Sequence, residues 1–270
     1  MDLLIGWTPW WLSLLLGLAL GSLNNVLIHR VPKGQSLWHP PSSCPACHRR
    51  IRPWENIPVL SWLALRGRCA GCGWRIPARY PLVELGTALV ALSVAAVIPL
   101  GWAWLAWIPA GSLLVALALI DLDCQRLPDP LTLAVGACGV LGLALQAADL
   151  TQAGPGSGLP EWREALWGLV AGGGTLWGFA WIGWLLFRRE SMGAGDIKLM
   201  AALGLLLGWP RVLLAIFLAA LGGAAGGLLL RRSRFQELPF GPWLALGAWV
   251  SFLWGRRLIA AYLAWVLGTT

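Results

Sequence analysis

Two acidic residues lie where a 270-residue chain rich in apolar segments would not be expected to place them. Asp121 follows the apolar run LLVALALI, and Asp196 follows the small residues GAG and opens another apolar segment. A carboxylate within a transmembrane segment costs about 3 kcal/mol on insertion scales, so both acids need a reason to be there. The glycines before Asp196 allow a backbone or a substrate to approach it closely.

Two such carboxylates on one membrane face could form a catalytic pair. Like charges a few ångströms apart leave one group ionised and the other protonated. Aspartic proteolysis uses this difference, because one group activates water and the other protonates the carbonyl or the leaving amine. The alternative is a helix cap at the membrane interface, which we prefer for Asp129. Asp121 is predicted at a helix C-terminus, where the dipole disfavours negative charge, and this favours the pair.

A second set of residues has metal-ligand spacing. Cys44, Cys47, Cys69 and Cys72 form two C-x2-C pairs separated by 21 residues. Each pair places two thiolates on one tight turn, and two pairs complete a tetrahedral zinc site with Zn–S near 2.3 Å. Four thiolates leave no open position, so the metal would organise a loop and would not catalyse. A cytoplasmic location disfavours disulfide bonds between these cysteines. An iron site of rubredoxin type uses the same four ligands, so the spacing alone does not distinguish iron from zinc.

The composition requires membrane helices to position these residues. Hydrophobic residues make up 58% of the chain and charged residues only 12%, about half the charged share of a soluble domain. We therefore predict an all-α polytopic membrane protein with about eight transmembrane helices and a zinc-binding cytoplasmic loop between the first two. The predicted helices span residues 8–28, 81–99, 102–120, 130–148, 165–187, 197–209, 211–230 and 240–254, with 258–268 as an interfacial or extended tail.

The basic residues predict the orientation of these helices. Nine of the twenty Lys and Arg residues lie between Arg30 and Arg79, together with one acid, Glu55. The positive-inside rule places this loop in the cytoplasm and the N-terminus outside. It also places the connections at 121–129, 188–196 and 231–237 inside, so that both aspartates face the cytoplasm. We expect contact with an anionic lipid leaflet and no binding of nucleic acid.

Six segments in order resemble the bacterial type IV prepilin peptidases, membrane aspartic proteases of the GxGD type. They are GSLNNVLIHRVP at 21–32, the four-cysteine loop, RYPLVELGTAL at 79–89, LIDLDCQRLPDPLTL at 119–133, MGAGDIKLMAALG at 192–204 and LPFGPWLALGA at 238–248. The resemblance implies that Asp121 and Asp196 are catalytic. The supporting residues that it implies in the same two motifs are Asp123, Asp129, Gly193, Gly195 and Lys198.

The resemblance also implies a reaction and a location. The family cleaves the short basic leader of type IV prepilins and type II secretion pseudopilins at the cytoplasmic face of the bacterial inner membrane. Many members with the cysteine loop then methylate the new N-terminal amine, with S-adenosylmethionine as methyl donor. The sequence identifies no methyl-donor ligands, and Glu84 at a helix entry is only a candidate.

The expected domains are a first transmembrane helix at 1–28, a methyltransferase-associated zinc loop at 29–80 and a peptidase domain at 81–270. A transporter with acids that handle ions is a rival hypothesis, and so is an inert zinc-loop scaffold of pilus or secretion machinery. A transporter would place its acids near the bilayer midplane and often shows internal repeats. Here the acids gather at one face and no repeat is visible.

Overall fold

The computed structural model describes residues 10–154, 156–188, 192–229 and 239–268. The chain forms two compact units, Met1–Ala96 and Val97–Thr270. Among the described residues the regular elements are helices, and β-structure is limited to two isolated bridges. The all-helical fold predicted from the sequence is confirmed.

The first unit holds two long helices and the loop between them. Helix α1 spans Trp10–Arg30 and α3 spans Arg79–Val97, with a short helix α2 at Leu60–Ala64. The buried amide of Asn24 donates to the Thr87 hydroxyl over 3.1 Å and so joins α1 to α3. Such a polar contact satisfies both groups where water is scarce.

The second unit is a bundle of six helices in its described part. They are α4 (Trp104–Cys124), α5 (Asp129–Ala147), α6 (Trp162–Phe187), α7 (Ala194–Leu207), α8 (Trp209–Leu229) and α9 (Gly241–Leu267). Helix α7 packs against α5, α6, α8 and α9. Most of its side chains from Leu199 onward are buried, which makes it the centre of the bundle.

Seven helices of the described chain are long and apolar enough to cross a membrane: α1, α3, α4, α5, α6, α8 and α9. Large apolar side chains on their outer faces are exposed, among them Trp167, Phe217 and Leu228. Lipid is the solvent that tolerates such a surface. The chain is therefore a multi-pass membrane protein.

Two helix boundaries differ from the prediction. With 14 residues, α7 is about 21 Å long and falls short of the roughly 30 Å hydrocarbon layer. The last helix does not end near residue 254, because α9 continues without a break through 258–268 to Leu267. The start of the predicted 8–28 helix, part of the connection at 188–196 and the whole connection at 231–237 lie outside the described residues.

Candidate functional site

Asp121 lies at the meeting point of two helix ends in the second unit. It belongs to the last turn of α4 and is only 6% exposed. The backbone N–H of Gly241, the first residue of α9, donates to Asp121 Oδ2 over 2.8 Å. The unfavourable dipole at the end of α4 is thus offset by the favourable N-terminus of α9, which binds anions well.

Gly241 is required by this contact. A Cβ atom at this position would lie 2.8 Å from Asp121 Oδ2 and 3.0 Å from Asp121 Cβ. A larger residue would therefore push the carboxylate away or separate α9 from α4. The sequence analysis missed Gly241, although its place in FGPW, one residue before a proline that starts a helix, was a usable signal.

Asp196 lies in the first turn of α7, where its backbone N–H donates to the Gly193 carbonyl over 3.1 Å. Its carboxyl group and that of Asp121 are close enough to interact electrostatically. Helix α9 packs against both α4 and α7, and so helps to hold the two acids near each other. The structure thus brings together the two acids that the sequence singled out.

The glycines before Asp196 differ in what surrounds them. A Cβ on Gly195 would lie 2.8 Å from Leu127 Cβ and 3.2 Å from the Leu127 carbonyl oxygen. Gly195 therefore lets the start of α7 pack on the loop before α5. A Cβ on Gly193 would meet only the Asp196 carboxylate, at an ordinary 3.5 Å.

The supporting acids lie nearer the surface. Asp129 does not cap its helix, because the N-cap residue of α5 is Pro128 and makes no side-chain capping bond. Its carboxylate instead forms an exposed ion pair with Lys198, whose Nζ lies 2.8 Å from both oxygens. This pair joins the start of α5 to the start of α7. Asp123, in the last turn of α4, is exposed.

The four cysteines form one cluster in the first unit. The Sγ atoms of Cys44, Cys47, Cys69 and Cys72 all lie within 4.8 Å of one another, with Cys44 and Cys72 3.8 Å apart. A tetrahedral zinc site with 2.3 Å bonds requires S···S distances of about 3.8 Å. The four residues therefore fit a metal ion of this kind.

The two C-x2-C turns have the same backbone hydrogen bonds. The N–H of Cys44 donates to Arg49 O and that of His48 to Cys44 O, while Cys69 and Gly73 repeat both bonds in the second turn. His48 and Gly73 both have positive φ, at 57° and 72°. His48 is thus a turn residue at the position that Gly73 fills in the other turn.

Backbone amides prepare one of the cysteines for a metal. The N–H groups of Gly71 and Cys72 point at the Cys69 sulfur and lower the pKa of its thiol to about 6. Cys69 is then a thiolate at neutral pH, which is the form that binds metal. Arg49 lies beside this sulfur and is itself held by Glu55 through two 2.9 Å bonds.

A cavity of about 610 Å³ opens in the first unit next to the cysteine cluster. Its walls come from α1, from the loop that carries the cysteines and from the start of α3. Cys44 and Cys69 contribute to one wall, and Glu84 lines the cavity from α3. The sequence analysis did not predict this cavity, because its walls come from residues as far apart in the chain as Ser22 and Glu84.

Comparison with known proteins agrees with the two units. Residues 15–98 match the family described as "Bacterial Peptidase A24 N-terminal domain", and residues 108–228 match the "Type IV leader peptidase family". No solved structure matches the chain significantly.

Proteins named prepilin leader peptidase/N-methyltransferase are similar over most of the chain. The protein of Aeromonas hydrophila is 40% identical over 95% of this chain and 94% of its own length. That of Pseudomonas aeruginosa is 38% identical over 93% and 92%, and that of Burkholderia pseudomallei strain K96243 is 37% identical over 90% and 84%. The chain therefore belongs to the type IV leader peptidase family.

Proposed function

We propose that this protein cleaves the leader of type IV prepilins and type II secretion pseudopilins and then N-methylates the new N-terminal residue. Family membership and the names of its relatives support both activities. The observation that carries the peptidase proposal is the position of Asp121 and Asp196 in one bundle, at the ends of helices that both pack against α9. In this proposal the loop at 29–80 serves methyl transfer and the helices after residue 80 serve cleavage.

Asp121 and Asp196 are the proposed catalytic acids. The ionised member takes a proton from water, whose oxygen attacks the carbonyl carbon of the scissile bond, and the other member protonates the carbonyl oxygen. Collapse of this adduct breaks the C–N bond, and the leaving nitrogen receives a proton. The Gly241 N–H, 2.8 Å from Asp121, keeps one oxygen of that carboxylate in place and leaves the other available.

The remaining polar residues of the two motifs have proposed supporting roles. Asp129 and Lys198 clamp the start of α5 to the start of α7, so that Asp196 stays in position. Gly195 lets the start of α7 approach Leu127 closely. Asp123 is exposed at the end of α4, where it could contact the substrate polypeptide.

Methyl transfer requires a methyl donor, and S-adenosylmethionine is the donor that we propose. This donor would supply a methyl group to the neutral amine of the cleaved pilin, which would then release a proton. Cys44, Cys47, Cys69 and Cys72 would hold a structural Zn²⁺ that orders one wall of the adjacent cavity. The sulfur spacing and the thiolate character of Cys69 support this metal site.

The proposed location is the bacterial inner membrane, with the N-terminus outside and the cysteine loop and both aspartates on the cytoplasmic side. The distribution of Lys and Arg supports this orientation. The basic loop would contact the anionic lipids of the cytoplasmic leaflet. Those lipids would also screen its repulsion of a basic leader.

A cleavage assay tests the peptidase proposal. Purified wild type, Asp121→Asn and Asp196→Asn are compared on one prepilin in detergent micelles, and the truncated product is quantified. The cleavage rate of each variant is expected to fall at least 100-fold, because proton transfer requires both carboxyl groups. The control Asp149→Asn makes the same change at an exposed residue outside the site and should retain full activity. Full cleavage by either site variant would refute the dyad.

A further inference from the structure

The cavity of the first unit has the properties of a small-molecule site. Its volume of about 610 Å³ lies within the range of roughly 300–1,000 Å³ typical of ligand pockets. The aromatic side chains of Trp62, Trp74 and Tyr80 line it together with a few polar groups. The indole N–H of Trp62 donates to the Ile76 carbonyl over 3.1 Å, which fixes the position of that ring.

Two carboxylates line the cavity, and they differ in their charge balance. Glu55 is neutralised by Arg49, whose guanidinium lies 2.9 Å from both of its oxygens. Glu84 is only 8% exposed, and its Oε2 accepts the Val59 N–H over 2.7 Å. Neither the Arg49–Glu55 ion pair nor the Lys198–Asp129 ion pair includes Glu84. A buried carboxylate without a cation beside it is costly, so Glu84 is suited to bind a positively charged ligand.

The backbone around Glu84 is also unusual. Val59, which presents its N–H to Glu84, has a φ of 61°. A β-branched residue with positive φ is a genuine outlier whose backbone is strained. The chain keeps this conformation at the point where it orients the carboxylate. Strain of this kind is concentrated at binding and catalytic sites.

We propose that this cavity binds S-adenosylmethionine and that Glu84 pairs with a cationic group of that molecule. The donor carries a sulfonium and an ammonium group, and either could replace the cation that Glu84 lacks. Aromatic walls favour such cations further, through the negative faces of their rings. The proposal rests on the methyl transfer under Proposed function and adds the place and the residue through which the donor binds.

Calorimetric titration of the purified protein with S-adenosylmethionine tests the role of Glu84. Glu84→Gln should weaken binding at least tenfold, while Glu84→Asp, which keeps the charge on a shorter side chain, should lose less. Glu161→Gln is the matched control, since it makes the same change at an exposed residue of the second unit and should bind as wild type does. Binding by Glu84→Gln within twofold of wild type would overturn the assignment.

Prepilin cleavage by the same preparations controls for folding. Glu84→Gln should cleave at the wild-type rate, because the proposed dyad lies in the other unit. Titration with S-adenosylhomocysteine, which lacks the sulfonium charge, identifies the group that Glu84 contacts. If the substitution Glu84→Gln reduces affinity less for this ligand than for S-adenosylmethionine, Glu84 contacts the sulfonium. If it reduces both affinities equally, Glu84 contacts the ammonium.

Crosslinking of wild type locates the site without any substitution. The protein is irradiated with methyl-labelled S-adenosylmethionine, digested, and its labelled peptides are sequenced. The label is expected within residues 22–84, whereas a label confined to Val97–Thr270 would overturn the location. Failure of wild type to bind the donor at millimolar concentration would instead refute the methyl-transfer activity itself, which separates the two failures.

Discussion

The Asp121 carboxyl group is buried at a helix end that disfavours negative charge, and a contact from another helix offsets part of this cost. It lies at the C-terminal end of α4 and is almost fully buried, two conditions that each disfavour a charge. The N–H of Gly241 and the N-terminus of α9 offset part of that cost. Chain segments 120 residues apart therefore cooperate to hold one carboxyl group.

Gly195 provides a test of positioning at the residue scale. Gly195→Ala would place a methyl group 2.8 Å from Leu127 Cβ, and such overpacking costs about 1–3 kcal/mol. The start of α7 should shift, and because small displacements of a catalytic group are costly, prepilin cleavage should fall by about 10- to 100-fold. The measurement is the initial rate with purified enzyme at saturating substrate.

Gly193→Ala is the matched control for this change. Gly193 has an ordinary φ of −70°, and its added methyl group would make only a normal van der Waals contact. This variant should keep at least half of the wild-type rate. Equal losses in the two variants would show that the Leu127 contact does not position Asp196.

Residue types and their spacing predicted the acidic residues of the site. They did not predict the distant residues that hold those carboxylates in place. Asp121 and Asp196 were identified because carboxylates are expensive in apolar segments. Asp129 lies in the first turn of α5, as expected for a helix N-terminus, but it is not the N-cap residue. Local sequence does not reveal that its carboxylate pairs with Lys198, 69 residues away. Gly241 was missed for the same reason, because its role depends on a contact between distant helices.

At the scale of elements, the two C-x2-C turns act as a pair. Each is closed by the same two backbone hydrogen bonds and one isolated β-bridge, Ser43 with Arg50 and Arg68 with Arg75. Most residues of both turns are exposed, so a metal ion between them would supply stability that burial does not. The spacing of the cysteines was sufficient to predict this arrangement.

Removal of the metal tests the pair of turns. Cys44→Ser combined with Cys69→Ser takes one ligand from each turn, and the purified protein should fall from about one zinc ion per chain to nearly none. Metal content is measured by elemental analysis. Binding of S-adenosylmethionine should weaken as well, because Cys44 and Cys69 belong to a wall of the cavity.

Cys138→Ala is the control for that experiment. Cys138 is buried in α5, remote in sequence from both turns, and its loss should leave the metal content unchanged. Zinc retained at full occupancy by the double variant would contradict the four-thiolate site. Iron in the wild-type protein would replace zinc as the metal of these turns.

Helices were predictable as elements, but their ends were less so. Hydrophobic length identified the long helices and also the shorter segment at 197–209, which corresponds to the 14-residue helix α7. The last helix was predicted to end at residue 254, just before Arg256 and Arg257. Both lie inside α9, where long basic side chains can reach water along the helix surface.

For the molecule as a whole, two compact units correspond to two proposed activities. The first contains the cysteine cluster and the cavity with Glu84, and the second contains the aspartate pair. Each site is built from residues of its own unit. The two activities should therefore be separable by single substitutions.

The intact mass of the pilin product tests this separation most directly. One prepilin is incubated with S-adenosylmethionine and wild type, Asp121→Asn or Glu84→Gln, and the product is analysed by mass spectrometry. Wild type should yield a cleaved, methylated pilin, Asp121→Asn an uncleaved prepilin, and Glu84→Gln a cleaved pilin without the methyl group. A cleaved product from Asp121→Asn would contradict the central claim that Asp121 and Asp196 form the peptidase centre.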